Sequence, residues 1–289
     1  MLDVAIIGGG LAGVYAANLL QSAGRSVRVF EAKKRLGGRI HSVELHAGSA
    51  RLDLGPTWYW PHQPRMQALV AELGLVQMPQ YVTGDALYEL GVGNVVRQGD
   101  GQGMLSYRLE GGLAQLIDKL LAPLPSATIE LDAAVCGVER NSDCWTLTLN
   151  GPGAQQQISA QHLFVAVAPR IVVAKLNGAQ WLPESLLSAL AATPTWMAAQ
   201  AKFVAAYDLP FWRSQGLSGD AFSRVGPMVE VHDACATENA GCALFGFVGV
   251  PAVERAAFSR EELAGACMEQ LERIFGASAQ RARAVIVQD

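Results

Sequence analysis

The chain has 289 residues, 51% of them apolar and 17% charged, with a formal net charge of −4. Such a composition supports a sizeable core and excludes wholesale disorder. It also excludes a nucleic-acid surface, which needs a dense basic patch, because the single basic cluster is Lys33-Lys34-Arg35. In chain order, the apolar run "DVAII" from Asp3 predicts a buried parallel strand. Three glycines follow, then a helix over Leu11 to Ala23 stopped at Gly24, then a second strand, "SVRVFE". These make a β-α-β unit. "RMQALVAELG" predicts a helix ending at Gly74, and "GGLAQLIDKLLAPL" another, stopped by Pro123 and Pro125.

"ATIEL", "AAVCGVE", "CWTLTL" and "HLFVAVAP" predict four successive strands, with turns at Asn141-Ser142-Asp143 and Asn150-Gly151-Pro152-Gly153. "ESLLSALAA" reads as a helix. "MAAQAKFVAAYDLPFWR" alternates as a strand, with Ala201, Phe203, Ala205 and Tyr207 on one face. Lys202 lies on the other face among Gln200, Val204 and Ala206. "MVEVHD" and "CALFGFVGV" are further strands. Ser259-Arg260-Glu261-Glu262 is a capping box, opening a helix with Leu263, Cys267, Leu271 and Ile274 on one face and Gly276 at its end. "ARAVIV" is a last strand.

The five cysteines are scattered, with no Cys-x-x-Cys pair, so neither a zinc site nor a disulfide framework is expected. A reduced, cytoplasmic setting fits that usage. No stretch reaches the roughly 18 apolar residues of a membrane span, and no basic leader precedes the first strand. The histidines are not spaced as metal ligands; His41, His46 and His62 read as surface or turn residues.

Gly8-Gly9-Gly10-Leu11-Ala12-Gly13 is a Gly-x-Gly-x-x-Gly motif between a strand and a helix. Gly8 allows a tight turn, Gly10 lets a pyrophosphate approach the backbone, and Gly13 lets helix and strand pack closely. The helix N-terminus offers free N–H donors to phosphates. Glu31 closes the second strand, 18 residues after Gly13, where an acid accepts the ribose hydroxyls of an adenosine. That context predicts a dinucleotide site. Gly37-Gly38-Arg39 either presents amides and an Arg fork to a second phosphate edge, or is a surface loop with an exposed Arg. "LDLGPTWYWPHQPRM" either brings backbone close to something flat, or is an aromatic corner of the core. On pattern alone, Lys202 reads equally as a sheet-edge or snorkelling lysine.

Together these stretches resemble the flavin-dependent amine oxidase family, which includes monoamine and polyamine oxidases. "IIGGGLAGVYAANLLQSAGRSVRVFEAKKRLGGRI" is similar to that family's N-terminal FAD signature. "DLGPTW" resembles its aspartate-leucine-glycine-glycine stretch, with Pro56 in place of the second glycine. "YRLEGGLAQLIDKLL", "DAAVCGVE" and "KFVAAYDLPFWR" are similar to its glycine-pair helix, its adenine-contacting strand and its substrate-domain strand. The resemblance implies an α/β fold: an FAD-binding Rossmann-like domain of the two-dinucleotide-binding type, with an α+β substrate domain. The FAD domain would take residues 1–75 and 108–170, and the substrate domain 76–107 and 171–289. The cofactor implied is FAD, held by Gly8, Gly10, Ala12, Gly13, Glu31, Ala32, Lys33, Gly37, Gly38, Arg39, Leu54, Gly55, Pro56, Thr57, Trp58 and the backbone of Val135. Lys202 would be the catalytic residue, holding a water against flavin N5; such a lysine is desolvated and its pKa falls. The reaction implied is oxidation of a small-molecule amine to an imine, with oxygen as acceptor giving hydrogen peroxide.

Two departures from the family pattern bear on this. The segment from Leu75 to Glu110 is shorter than the helical insertion of many relatives, which implies a shallow or open substrate cavity. The residues given stop at Asp289, whereas the family continues into a second glycine-rich segment and an aromatic pair. Three readings are open: a fragment of an oxidase, an oxidase completed by a second chain, or an FAD-binding module without turnover. A related flavin desaturase is a further alternative.

Overall fold

The structure is a computed structural model and describes all residues except 46–48, 100–104, 151–154, 177–179 and 238–240. His46 and the Gly151-Pro152-Gly153 part of the expected turn therefore lie outside the described residues. In chain order the elements are β1 (Leu2–Ile7), α1 (Leu11–Ser22), β2 (Val27–Phe30), β3 (Ser42–Glu44), β4 (Arg51–Asp53), α2 (Pro64–Glu72), β5 (Gln77–Pro79), β6 (Asp85–Gly91), β7 (Asn94–Gln98), β8 (Tyr107–Leu109) and α3 (Ala114–Leu121). Then come β9 (Ile129–Glu130), β10 (Ala134–Arg140), β11 (Trp145–Asn150), β12 (Gln156–Val165), α4 (Pro169–Lys175), α5 (Glu184–Ala192), β13 (Ala201–Tyr207) and α6 (Phe211–Ser214). The remainder are β14 (Leu217–Ser223), β15 (Met228–Asp233), β16 (Cys242–Val248), α7 (Ala252–Arg255), α8 (Arg260–Phe275) and β17 (Ala284–Gln288). They form two compact units, one of residues 1–40 and 116–196, the other of residues 41–115 and 197–289. This partition by compactness differs from the functional division expected from the sequence, which assigns residues 41–75 and 108–115 to the cofactor domain and 171–196 to the substrate domain.

In the first unit a six-stranded sheet, counted among the described residues, runs β10-β11-β12-β1-β2-β9. β1 is central and parallel to both neighbours, β2 and β12. It is covered on both faces, which is why its sequence is a continuous apolar run rather than an alternation. Val4 and Ile6 pack with Val27, Val29 and Ala17 of α1, while Ala5 and Ile7 pack with Phe30, Val135 and Leu147. The chain leaves β1 for β2 on one side and returns to β12 on the other. The carboxyl end of β1 is therefore a topological switch point, where α/β sheets bind ligands.

In the second unit a seven-stranded sheet, again among the described residues, runs β17-β13-β16-β15-β14-β6-β7. One face packs Phe203, Ala205 and Tyr207 of β13 against Leu263, Cys267, Leu271 and Ile274 of α8. The capping box of α8 forms in full: the Glu262 amide donates to Ser259 Oγ at 3.1 Å and the Ser259 amide donates to Glu262 Oε2 at 2.8 Å. The opposite face carries Val204, Ala206, Ala243 and Phe245. β17 is the last strand of this sheet and β13 lies inside it.

Three local differences from the sequence have physical causes. "ATIEL" yields only a two-residue strand, because a 3-10 turn over Ser126–Thr128 follows Pro125. β12 begins at Gln156, earlier than expected, since its first half is polar and mostly exposed. β14 carries no strand signal, having Gly219 and Asp220 at its middle, yet it is buried between β15 and β6.

Candidate functional site

The glycine motif sits at the switch point. Gly8 ends β1 and donates its amide to the Phe30 carbonyl at 2.9 Å. Gly10 precedes α1 with φ −76° and ψ −179°, and no side chain caps that helix. The amides of its first turn, from Leu11 through Ala12 to Gly13, are donors that a helix cannot satisfy internally. A Cβ built on Gly13 would lie 1.9 Å from the Gly8 carbonyl oxygen, so this position needs glycine for packing. One built on Gly10 meets nothing closer than 4.0 Å. The space above Gly10 is thus not required by the packing of the fold.

The second glycine pair lies beside the first. Gly10 and Gly37 form a parallel bridge, and the Gly37 amide donates to the Gly9 carbonyl at 2.8 Å. Gly37 has φ +98°, and a Cβ there would lie 2.6 Å from the Ile40 carbonyl oxygen. Arg35, which in sequence is only one of a short basic cluster, shapes this loop. Its guanidinium donates to the carbonyls of Leu36, Gly38 and Ile40 at 2.9–3.1 Å. Arg39 is exposed and has no hydrogen bond or ion pair among the described residues.

Glu31 is buried at the end of β2. Its carboxylate accepts the Gly9 amide at 2.7 Å and the Lys33 amide at 2.9 Å, which ties the glycine loop to the second strand. Each oxygen retains acceptor capacity. Ala32 and Lys33 are exposed next to it. Val135 is buried at the start of β10, where the ladder to β11 shifts register between Val135 and Gly137.

In the second unit, Leu54 is buried, Gly55 partly so, Pro56 exposed and Thr57 buried. The stretch is anchored from below by Asp53. This buried carboxylate accepts the Leu113 amide at 3.0 Å at the head of α3, and a short bond from Ser42 Oγ. Burial raises the Asp53 pKa, against those hydrogen bonds and the Arg108 charge. Trp58 is held by its Nε1, which donates to Gln80 Oε1 at 2.6 Å. Its ring meets His232, Phe245 and Phe247 at centroid distances of 5.2, 5.6 and 6.1 Å.

Lys202 stands on that same aromatic face. It is directly opposite Phe247 on β16, which is opposite Glu230 on β15, which is opposite Phe222 on β14. The row continues to Tyr88 on β6, whose ring stacks on Phe222 at 5.3 Å. The half-buried Lys202 ammonium donates to the Gln200 carbonyl at 2.9 Å. Burial lowers its pKa, and the nearby Arg255 charge lowers it further. With β13 flanked by β16 and β17, Lys202 is not a sheet-edge lysine.

His232 lies in the expected strand "MVEVHD" with no role legible from its neighbours. It faces Asp220 at 2.8 Å and Glu230 at 3.5 Å. Burial pushes its pKa down, but these two carboxylates outweigh it and carry the value up to about 9. Strand register brings Asp220 of β14 to the Glu230 and His232 pair on β15, and single-sequence alternation cannot reveal register. Among the described residues no cluster of His, Cys, Asp and Glu could hold a metal ion, and no helix is long and apolar enough to cross a membrane.

Residues 6–73 match the family model of an NAD(P)-binding Rossmann-like domain. A putrescine oxidase of Kocuria rosea is 43% identical over 86 residues, which is 30% of this chain and 18% of that protein. A probable flavin-containing monoamine oxidase A of Dictyostelium discoideum is 36% identical over 127 residues, 43% of this chain and 27% of that protein. The aligned stretches thus span less than a third of either relative. Among solved structures, a putrescine oxidase bound to putrescine superposes with a TM-score of 0.85 at 22% identity, covering 100% of this chain and 84% of that one. The cyclohexylamine oxidase of Brevibacterium oxydans does so with a TM-score of 0.86 at 21% identity, with the same coverage. Residues 87–289 match the model of flavin containing amine oxidoreductases, well over half of the chain, and the chain belongs to that family.

Proposed function

We propose that the protein is an FAD-dependent amine oxidase, or the larger part of one, oxidising a small-molecule amine to an imine with oxygen as the acceptor. The observation that carries this is the pairing of two glycine loops at the switch point, with an uncapped helix and unfilled space at Gly10. These residues fit a dinucleotide. The amides of Leu11, Ala12 and Gly13 would bind pyrophosphate oxygens, Gly37 and Gly38 would bring backbone alongside, and Arg39 would pair with a phosphate edge. Glu31 would accept the ribose hydroxyls, flanked by Ala32 and Lys33, and Val135 would meet the adenine through its backbone. Leu54, Gly55, Pro56, Thr57 and Trp58 would line the flavin. In this reading residues 1–75 and 108–170 form the FAD domain and the remainder the substrate domain.

When bound, FAD supplies the two-electron acceptor that takes a hydride equivalent from the carbon beside nitrogen and passes the electrons to oxygen as hydrogen peroxide. The chain supplies orientation, dryness and charge. Lys202 would hold the water that serves oxygen reduction, its lowered pKa keeping a proton mobile there. Trp58, Phe245 and Phe247 exclude bulk water from that face. The further glycine-rich segment and the aromatic pair implied by the resemblance would come from a longer polypeptide or a second chain. We place the protein in the cytoplasm, a reading supported by the five free cysteines.

The test is a visible absorbance spectrum of the purified chain with its intact mass. A two-band flavin spectrum that bleaches anaerobically on adding an amine is the expected result. A colourless chain that stays colourless with added FAD would overturn the assignment of the glycine loops.

A further inference from the structure

Cys235 and Cys242 face each other across the hairpin of β15 and β16. The register Asp233 to Leu244 continues outward: the Ala234 amide donates to the Ala243 carbonyl at 2.8 Å, and the Ala236 amide to the Gly241 carbonyl at 3.0 Å. Residues 235 and 242 lie between those two hydrogen-bonded pairs, so they form a non-hydrogen-bonded pair. Such a pair brings Cα atoms to roughly 4.5 Å, inside the range of about 4.4–6.8 Å that a disulfide spans. The two thiols are close enough to act on one another's ionisation. Both are buried, against Tyr207 and Trp212.

We propose that Cys235 and Cys242 are a peroxide-responsive dithiol that closes to a cross-strand disulfide. The oxidant is hydrogen peroxide, which the proposed amine oxidase reaction would itself release; the dithiol chemistry does not depend on that source. Cys242 is the attacking sulfur. The contact between the two side chains holds the Cys242 thiol down and the Cys235 thiol up, while the Arg213 charge favours and the Asp233 charge opposes a thiolate at each. The Cys242 thiolate attacks one peroxide oxygen, the O–O bond breaks, and the departing hydroxide takes up a proton as water. Cys242 is now a sulfenic acid. The Cys235 sulfur gives up its proton and attacks the Cys242 sulfur; the S–O bond breaks and the hydroxide leaves with that proton as a second water. Two thiols have lost two hydrogens and two electrons, and one peroxide has become two waters.

Cys136, Cys144 and Cys267 offer no competing partner. Cys136 and Cys144 lie in the first unit, Cys136 beside the Thr148 carbonyl at 3.4 Å, and Cys267 is enclosed on α8 with its pKa pushed up to about 12 by burial. The backbone of Cys235 is already fixed, its amide on Asp233 Oδ1 at 3.0 Å and its carbonyl on the Arg108 guanidinium at 2.6 Å. Closure therefore needs little backbone movement. Burial makes it slow, since peroxide must enter through opening of the hairpin.

The experiment treats the folded 289-residue chain with added hydrogen peroxide, free of amine, then denatures it and alkylates the remaining thiols. Three alkylated cysteines are expected instead of the five in the sequence, with an intact mass lower by two hydrogens before alkylation. A single peptide pair should link Cys235 to Cys242, and dithiothreitol should separate it. In Cys235→Ser, dimedone should capture a sulfenic acid at Cys242. Five alkylated cysteines after peroxide, or a link between any other two, would overturn the proposal. Because the peroxide is added, a failure here is separate from a failure to bind FAD or oxidise an amine.

Discussion

Gly10 and Gly13 belong to one motif but answer to different demands, and two single-methyl substitutions separate them. In Gly13→Ala the new Cβ would sit 1.9 Å from the Gly8 carbonyl oxygen, a backbone atom that cannot swing aside. Helix propensity at this α1 position favours Ala by about 1 kcal/mol, but the overpacking costs on the order of 3 kcal/mol. The net loss is roughly 2 kcal/mol, a fall in Tm of about 4–8 °C for a chain of this size. In Gly10→Ala the backbone is already in a region open to Ala, and the methyl meets nothing closer than 4.0 Å. The apoprotein should melt within about 1–2 °C of the parent, as surface substitutions do. The methyl would occupy the space assigned to the pyrophosphate. Displacing it by an ångström forfeits about two charge-assisted bonds of roughly 1.5 kcal/mol each, a roughly 100-fold weaker Kd for FAD. Thermal melts of the apoprotein and a flavin fluorescence titration read the two quantities separately. If Gly10→Ala binds FAD as tightly as the parent, the loop does not hold the pyrophosphate and the reasoning fails.

Two further substitutions probe the sheet face in the second unit. Lys202→Met should leave FAD bound and slow its reoxidation by oxygen about tenfold or more, a loss of about 1.4 kcal/mol in the transition state; stopped-flow mixing of reduced protein with oxygen measures it, and an unchanged rate removes Lys202 from the mechanism. His232 predicts a pH dependence. Its folded pKa of about 9 lies above the ordinary 6.5, so the stability it contributes is full below pH 6.5 and is lost as pH rises through 9. The shift corresponds to on the order of 3 kcal/mol. Urea unfolding across that window should show the decline in the parent and not in His232→Gln; the same slope in both would mean that the pairing with Asp220 and Glu230 is not its source.

What was legible in the sequence follows the range of the interactions. The β-α-β unit, the helix stops and the capping box are local, and their residues announce them within a few positions. The buried parallel strand followed because β1 is apolar on both faces; the fold class came with the family resemblance. The second glycine pair was ambiguous in sequence. Its contact with the first runs through Gly9 and Gly37, with Arg35 bracing the loop, and nothing in the spacing fixes that geometry. β14 and the pairing of Asp220 with His232 were not legible, because polar residues that meet across strands look like loop residues one at a time.

The Pro210-Phe211-Trp212 segment shows the same limit from the other side. As a pattern it identified the family, yet its part in the molecule is mechanical. Trp212 Nε1 and the Arg213 guanidinium both donate to the buried Asp233 carboxylate at 2.8 Å. The Asp233 carbonyl accepts Gln80 Nε2 at 2.8 Å, and Gln80 Oε1 in turn accepts Trp58 Nε1 at 2.6 Å. A continuous polar chain therefore joins the signature segment to the aromatic ring that shares a face with Lys202. Its links are all buried or half-buried, so each is costly to leave unmade. The partners are up to 153 positions apart in sequence. The motif is specific because it must satisfy Asp233 and pack beside Tyr207 at once, and the face that carries Lys202 is braced through that requirement.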